Sequence, residues 1–171
     1  MIEYPGRDEI EALVALARDT DFFRPLETDI VREMLIDFLD HVEAVGPAGY
    51  ESGEYVWIVY REEPGGPALG FACYGEDDMG EDVWELYWIA VDRRYQNRRV
   101  GSALLKHVEE HVAREQARHL YIETSDTEQY APTRAFYLKR GYDEAAHLPD
   151  YYRPGDGKVV YRRIFRSERA D

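Results

Sequence analysis

Apolar positions follow two rhythms along this chain, and each change of rhythm marks an element. Ile10, Leu13, Val14 and Ala17 share one face at helical spacing and predict a helix over 8–18. A linker over 19–25 breaks it. Val31, Met34, Leu35, Phe38 and Val42 form the stripe of a second helix, 28–44, which Gly46-Pro47-Ala48-Gly49 ends. The β-branched and aromatic run 55–61 predicts a strand, Pro64-Gly65-Gly66-Pro67 a turn, and 68–74 the returning strand of a hairpin. After an acidic loop, 75–82, the run 83–91 predicts a central strand with both faces covered. Leu104, Leu105, Val108 and Val112 mark a helix over 100–117, and 119–124 a short strand. A helix over 132–140 has Pro132 in its first turn and Gly141 as its stop. Strands 142–147 and 158–165 close the chain, joined by a loop over 148–157, and the tail 166–171 is expected to fray.

Two helices, an antiparallel group of strands, then strand–helix–strand–helix–strands is an α+β order. It predicts a mixed sheet covered by helices on both faces. Strands 83–91 and 119–124, bridged by a helix, should form a parallel pair. At 171 residues the chain fits one domain.

Charge narrows the partners. The net charge of −14 argues against nucleic acid and against an anionic membrane surface, and suits a cationic or amine-bearing partner or plain solubility. The lone cysteine, Cys73, allows no intrachain disulfide and no cysteine zinc site. No signal-peptide pattern opens the chain, and no run nears the roughly 18 apolar residues of a membrane span, so a cytoplasmic location is expected. The five histidines show no ligand set; His107 and His111 read as surface positions of their helix, and no metal is expected.

Two features carry chemistry. Glu85 is the one charge in an otherwise uncharged strand, on the face of Tyr87 and Ile89. A carboxylate there is costly unless paired, hydrated or functional, and apolar surroundings raise its pKa towards that of a general base. The competing readings are an exposed strand-start glutamate beside Trp84, a structural pair with an arginine, and a carboxylate that binds the acceptor's ammonium without acting as a base. The second feature is the turn after the strand. Arg93, Arg94, Arg98 and Arg99 cluster where a helix begins, and helix N-termini hold phosphate through unpaired N–H groups and the positive dipole end.

Strand, turn and helix together resemble motif A of the GNAT superfamily, the GCN5-related N-acetyltransferases, in which a turn Q/R-x-x-G-x-G/A opens a helix. Gln96-Asn97-Arg98-Arg99-Val100-Gly101 matches at Gln96 and Gly101. Arg99 replaces the first glycine, so its backbone must take ordinary angles or its side chain must point away. Residues 130–142 resemble motif B: Phe136, Tyr137, Gly141 and Tyr142 match, whereas Tyr130 and Thr133 stand where asparagine and alanine are usual.

The resemblance implies a three-layer α/β/α fold whose mixed, mostly antiparallel central sheet splays at the parallel pair to admit the pantetheine of coenzyme A. It implies acetyl-CoA as acyl donor, with Ile89, Ala90 and Val91 on the pantetheine. The loop from Gln96 through Asn97, Arg98, Arg99, Val100, Gly101 and Ser102 to Ala103 would lie on the pyrophosphate, with Tyr130, Thr133 and Phe136 nearby. Glu85 holds the place of the base in members that use direct attack, and Tyr137 that of the tyrosine protonating the leaving thiolate. An ordinary buried aromatic is the alternative for Tyr137. The acceptor, a small or peptidyl primary amine, would enter among Phe22, Phe23, Tyr87, Tyr151 and Tyr152, residues equally compatible with loop packing. A non-catalytic acyl-CoA-binding module is the competing function on the same fold. An unrelated nucleotide binder is disfavoured, since neither G-x-x-x-x-G-K-[ST] nor G-x-G-x-x-G occurs. The identity of the amine stays open, as does oligomeric state, a homodimer included.

Overall fold

The computed structural model describes residues 1–165, so the expectation for the 166–171 tail lies outside the described residues. In chain order the elements are β1 (Ile2–Glu3), α1 (Ile10–Asp19), α2 (Pro25–Val45), β2 (Val56–Tyr60), β3 (Gly70–Glu76) and β4 (Val83–Val91). There follow α3 (Val100–Arg114), β5 (His119–Ser125), α4 (Ala131–Leu138), β6 (Asp143–Arg153) and β7 (Asp156–Ile164). The strands hydrogen-bond in the order β1-β2-β3-β4-β5-β7-β6, a mixed sheet with β4 and β5 parallel. Two compact units share β4. One holds residues 1–76 and 87–111; the other holds, among the described residues, 77–86 and 112–165.

In the first unit, β2 and β3 pair antiparallel, with Trp57 opposite Cys73 and Val59 opposite Phe71. These four side chains share one face. Onto it α1 and α2 lay Leu13, Ala17, Val31, Leu35 and Phe38, all at most 1 % exposed. The alternate residues Val56, Ile58, Ala72 and Tyr74 are buried as well, which is why the hairpin reads as unbroken apolar runs. Helix α2 begins three residues before the predicted start. Pro25 suits the first helical position, and the Glu27 carboxylate accepts the Arg24 backbone N–H at 2.7 Å.

One guanidinium in this unit escaped the sequence reading. Arg61, just after β2, is 4 % exposed. It donates to Glu3 Oε2 at 2.8 Å, Glu9 Oε2 at 2.6 Å and the Gly66 carbonyl at 2.6 Å. It thereby ties the N-terminal strand, the entry to α1 and the hairpin turn to one point.

In the second unit, the parallel register runs from Val83–His119 to Leu86–Ile122, and β5 pairs antiparallel with β7 from His119–Ile164 to Ser125–Lys158. Helix α4 stops at Gly141, whose φ of +81° an L side chain adopts only with strain. The closing strands differ from the prediction. Residues 148–153 are not loop: β6 continues to Arg153 and reverses within two residues into β7. Every β6 residue except Tyr152 is exposed, so no alternation of burial was written into its sequence.

Candidate active site

Within the first unit, β4 delivers the chain into the basic turn. Of its five residues there, Ala90 is buried and Tyr87, Trp88, Ile89 and Val91 are half-buried; in the second unit Trp84 and Leu86 are buried and Glu85 is half-buried. The prediction that both faces are covered is therefore corrected. Trp84, Leu86 and Ala90 are buried on one face, where Trp88 is half-buried, and every residue of the face carrying Glu85 is only half-buried.

The turn is more contorted than its sequence implies. Asn97 has φ +62° and Arg99 φ +66°. Arg99 therefore occupies the left-handed conformation that a glycine would adopt freely, so of the two alternatives expected for it, that of ordinary backbone angles does not hold. The strain is tolerated because the turn is pinned on both sides. The Gln96 amide donates to the Val91 carbonyl at 3.4 Å, and the Arg99 carbonyl accepts the Ala103 N–H at 2.9 Å as the first helical bond of α3. The N–H groups of Val100, Gly101 and Ser102 are left without intrahelical acceptors by helix geometry. Successive amides beside left-handed residues form a concavity suited to an anion. A Cβ at Gly101 would meet only Val91 Cγ2, at 3.5 Å, so the fold itself does not demand glycine there. Arg99→Gly is expected to relieve the backbone strain and stabilise the protein by up to about 1 kcal/mol. Thermal melting checks this; a lowered Tm contradicts it.

Half of the arginine cluster is already spoken for. Arg93 donates to the Thr20 carbonyl at 3.1 and 3.3 Å and to the Asp21 carboxylate, and Arg94 is bound to Asp92. Arg98 lies 5.3 Å from the Tyr95 ring centroid, and the Arg99 side chain is exposed.

The second unit holds Glu85 and Tyr137. The Glu85 carboxyl is held above its ordinary value, first by burial and then by the nearby carboxylates of Glu123 and Asp77, with Lys158 opposing. The acid Glu123 came to light only through strand register. Tyr137 is 2 % exposed, packed among the rings of Phe136, Tyr142 and Tyr161 at 5.4–5.7 Å. Burial alone pushes its phenol upward, so the hydroxyl keeps its proton at neutral pH. Tyr161 lies opposite Ile122, so the ring of Tyr137 packs on the sheet face opposite Glu85.

Helix α4 is fixed by another residue that local pattern missed. Arg134 donates to the carbonyls of Ser125 at 2.9 Å and Thr127 at 2.7 Å, tying the helix to the end of β5. Tyr130 and Thr133 are half-buried in the first turn of α4 and before it, and Phe136 has the Arg140 guanidinium 4.5 Å from its ring.

The acceptor candidates fall in both units. In the first, Phe23 packs on Trp88 at 5.4 Å, Tyr87 meets Tyr55 edge-on at 5.7 Å, and Phe22 is half-buried with its N–H on the Thr20 hydroxyl. In the second, Tyr151 and Tyr152 meet edge-on at 5.1 Å, and the Lys158 ammonium lies 3.9 Å from the Tyr151 ring centroid. Among the histidines, His111 is not a surface residue: it is fully buried, its Nδ1 2.5 Å from the Tyr74 hydroxyl. Among the described residues no group of three or more His, Cys, Asp or Glu is placed to hold a metal ion, and no helix is long and apolar enough to cross a membrane.

Comparison with known proteins adds to this geometry. The family model described as Acetyltransferase (GNAT) family matches residues 13–142. A protein from Desulfovibrio desulfuricans, described as of the GNAT acetyltransferase family, is 32% identical over 96% of this chain and 98% of its own, with a TM-score of 0.82. The ribosomal-protein-S18-alanine N-acetyltransferase of Escherichia coli superposes at a TM-score of 0.72 with 18% identity, over 100% of this chain and 98% of its own. An aminoglycoside 6'-N-acetyltransferase complexed with coenzyme A superposes at 0.70 with 18% identity, over 100% and 99%. No curated protein matches the chain.

Proposed function

The chain belongs to the acetyltransferase (GNAT) family, and from that premise we propose that it transfers an acetyl group from acetyl-CoA to a primary amine by direct attack, as a single cytoplasmic catalytic domain without a metal. The observation that carries the reading is Glu85: a half-buried carboxyl of raised proton affinity on the strand that leads into the left-handed turn.

Acetyl-CoA supplies the acyl carbon as a thioester. The unpaired amides at the start of α3 and the exposed Arg99 suit its phosphates, and room at Gly101 suits their close approach. The backbone of Ile89, Ala90 and Val91 holds the pantetheine, and Tyr130, Thr133 and Phe136 line the donor from α4. An alkylammonium with a pKa near 10.4 must lose a proton before its nitrogen can attack. Glu85 takes that proton, directly or through one water, as the N–C bond forms. As the C–S bond breaks, Tyr137, from the sheet face opposite Glu85, acts as the acid by sharing its hydroxyl proton with the departing sulfur through a hydrogen bond. Burial keeps the phenol protonated at neutral pH, so the hydroxyl is present as a donor. Phe22, Phe23, Tyr87, Tyr151 and Tyr152 line the acceptor, a small or peptidyl amine.

Two measurements test the reading. Acetyl-CoA is expected to raise Tm by mass action and to release thiol in the presence of one or more members of an amine panel. A shift in Tm without thiol release across the panel favours the acyl-CoA-binding module; no shift at millimolar donor overturns both.

Glu85→Gln sharpens the test, because stability and activity are expected to part. The folded protein favours the protonated carboxyl, so ionised Glu85 costs stability as pH rises through its folded pKa, and nothing below the unfolded value of 4.5. The Gln variant is therefore expected to melt higher than wild type at neutral pH and alike at low pH. Its kcat/KM should fall about ten- to a hundredfold at neutral pH and less at high pH, where the amine is already neutral. A variant that keeps both the rate and the acid limb removes Glu85 from the mechanism.

A further inference from the structure

Strand register sets a second charged pair on the face that carries Glu85. Glu85 lies opposite Tyr121, and Tyr121 opposite Arg162. Residues opposite one another share a face, as do residues two apart on a strand. Glu123 and Lys158 therefore stand on the same face as Glu85, Glu123 opposite Val160 and Lys158 opposite Ser125.

The Lys158 ammonium reaches Glu123 Oε2 at 2.5 Å, and the two side chains are 12% and 37% exposed. The Tyr151 ring covers the ammonium from β6, with its centroid 3.9 Å away. Arg162, on the same face, is engaged by Asp143 of β6 at 3.6 Å. The charged groups bearing on Glu85 are thus Glu123 from β5, Asp77 from the segment before β4, and Lys158 from β7. Two like charges oppose ionisation of Glu85 and one favours it. Because Lys158 is partly buried and held against Glu123, these charges are screened less than surface charges.

We propose that the Glu123–Lys158 ion pair is a positioning pair for Glu85, setting the pH above which β4 offers an ionised carboxylate to a protonated acceptor amine. The proposal rests on the reading of Glu85 as the base. The two members of the pair act with opposite sign. Removing the Glu123 charge takes away a repulsion and leaves Lys158 to attract Glu85. Removing the Lys158 charge takes away that attraction and leaves Glu123 unneutralised.

The test is a titration of the full chain by carbon-13 NMR with labelled glutamate, with no donor or acceptor present. The Glu85 carboxyl resonance is assigned by its loss in Glu85→Gln. The wild-type midpoint is expected above 4.5. Glu123→Gln should move it down and Lys158→Met up, each by roughly half a unit or more, with the double variant between them. Lys158→Arg keeps the cation and should restore the wild-type midpoint, and near-UV circular dichroism monitors packing in each variant. A change in burial alone moves both midpoints the same way. That result, or a midpoint unmoved in either folded single variant, overturns the proposal. Should Lys158→Met fail to fold, the downward shift in Glu123→Gln with Lys158→Arg unmoved still decides it. Failure of the base reading is a different result: Glu85→Gln then keeps its acid limb while the titrations stand. Unmoved midpoints in an enzyme that Glu85→Gln inactivates leave the base reading intact and remove the pair.

Discussion

Tyr137→Phe is expected to lower kcat by about ten- to a thousandfold while leaving acetyl-CoA binding largely unchanged. The substitution deletes one oxygen from a ring that is 2 % exposed and held by Phe136, Tyr142 and Tyr161, so packing survives. What is lost is a proton donor. Burial pushes the phenol upward, so it is fully protonated at neutral pH, and the basic limb of the rate profile should not report its ionisation. A thiolate is the weaker base of the pair, which makes complete transfer uphill; the hydroxyl acts by hydrogen bonding to sulfur as charge develops there. Steady-state kinetics with an acceptor identified from the amine panel, with single-turnover runs to establish that chemistry limits the rate, make the measurement. An unchanged chemical step removes Tyr137 from the mechanism and leaves it a packing residue. A large rise in KM for acetyl-CoA at constant kcat assigns it to binding instead.

Arg61→Met should cost about 3 kcal/mol of stability, near the lower bound for breaking a buried ion pair. Methionine fills the aliphatic volume but leaves Glu3, Glu9 and the Gly66 carbonyl without their donor. The two carboxylates are 31% and 22% exposed, so water recovers part of the loss, which argues for the lower bound. For a chain of this size the drop in Tm is roughly 6–12 °C. Glu9 is the pH-dependent part. Burial raises its pKa, but the hydrogen bonds from Arg61 and from the Gly6 N–H outweigh it, and the net shift is downward. A depressed carboxyl stabilises the fold above its unfolded pKa, and that contribution is lost as pH falls through the folded value. The gap between wild type and Arg61→Met should therefore be full at neutral pH and narrow in acid. Equal melting at neutral pH contradicts the assignment.

Neither residue announces its role in the same way. Tyr137 is visible in sequence because Phe136, Tyr137, Gly141 and Tyr142 keep a motif spacing, although its burial is not. Arg61 closes the predicted strand 55–61, and nothing in that run marks its burial or its partners. Its three acceptors lie 5, 52 and 58 residues away along the chain, beyond any local pattern.

What the sequence determined by itself was whatever burial writes periodically. The stripes of α1 and α2 are legible because each helix packs one face, and the β2–β3 hairpin and the full span of β4 because these strands bury side chains at close intervals. Glu85 stands out against that apolar background. The tertiary structure decided the rest, where the controlling contacts join distant segments. Strand β6 buries neither face, so its length follows from pairing with β7 and leaves no hydrophobic trace. The left-handed Arg99 is imposed by the turn between β4 and α3, against the preference of the residue itself. His111 sits at a helical position that reads as surface and is buried only because Tyr74 of β3 lies against it. Around Glu85, the charges of Asp77, Glu123 and Lys158 converge through strand register and a loop, because proximity between charges depends on distance in space, which a linear pattern does not encode.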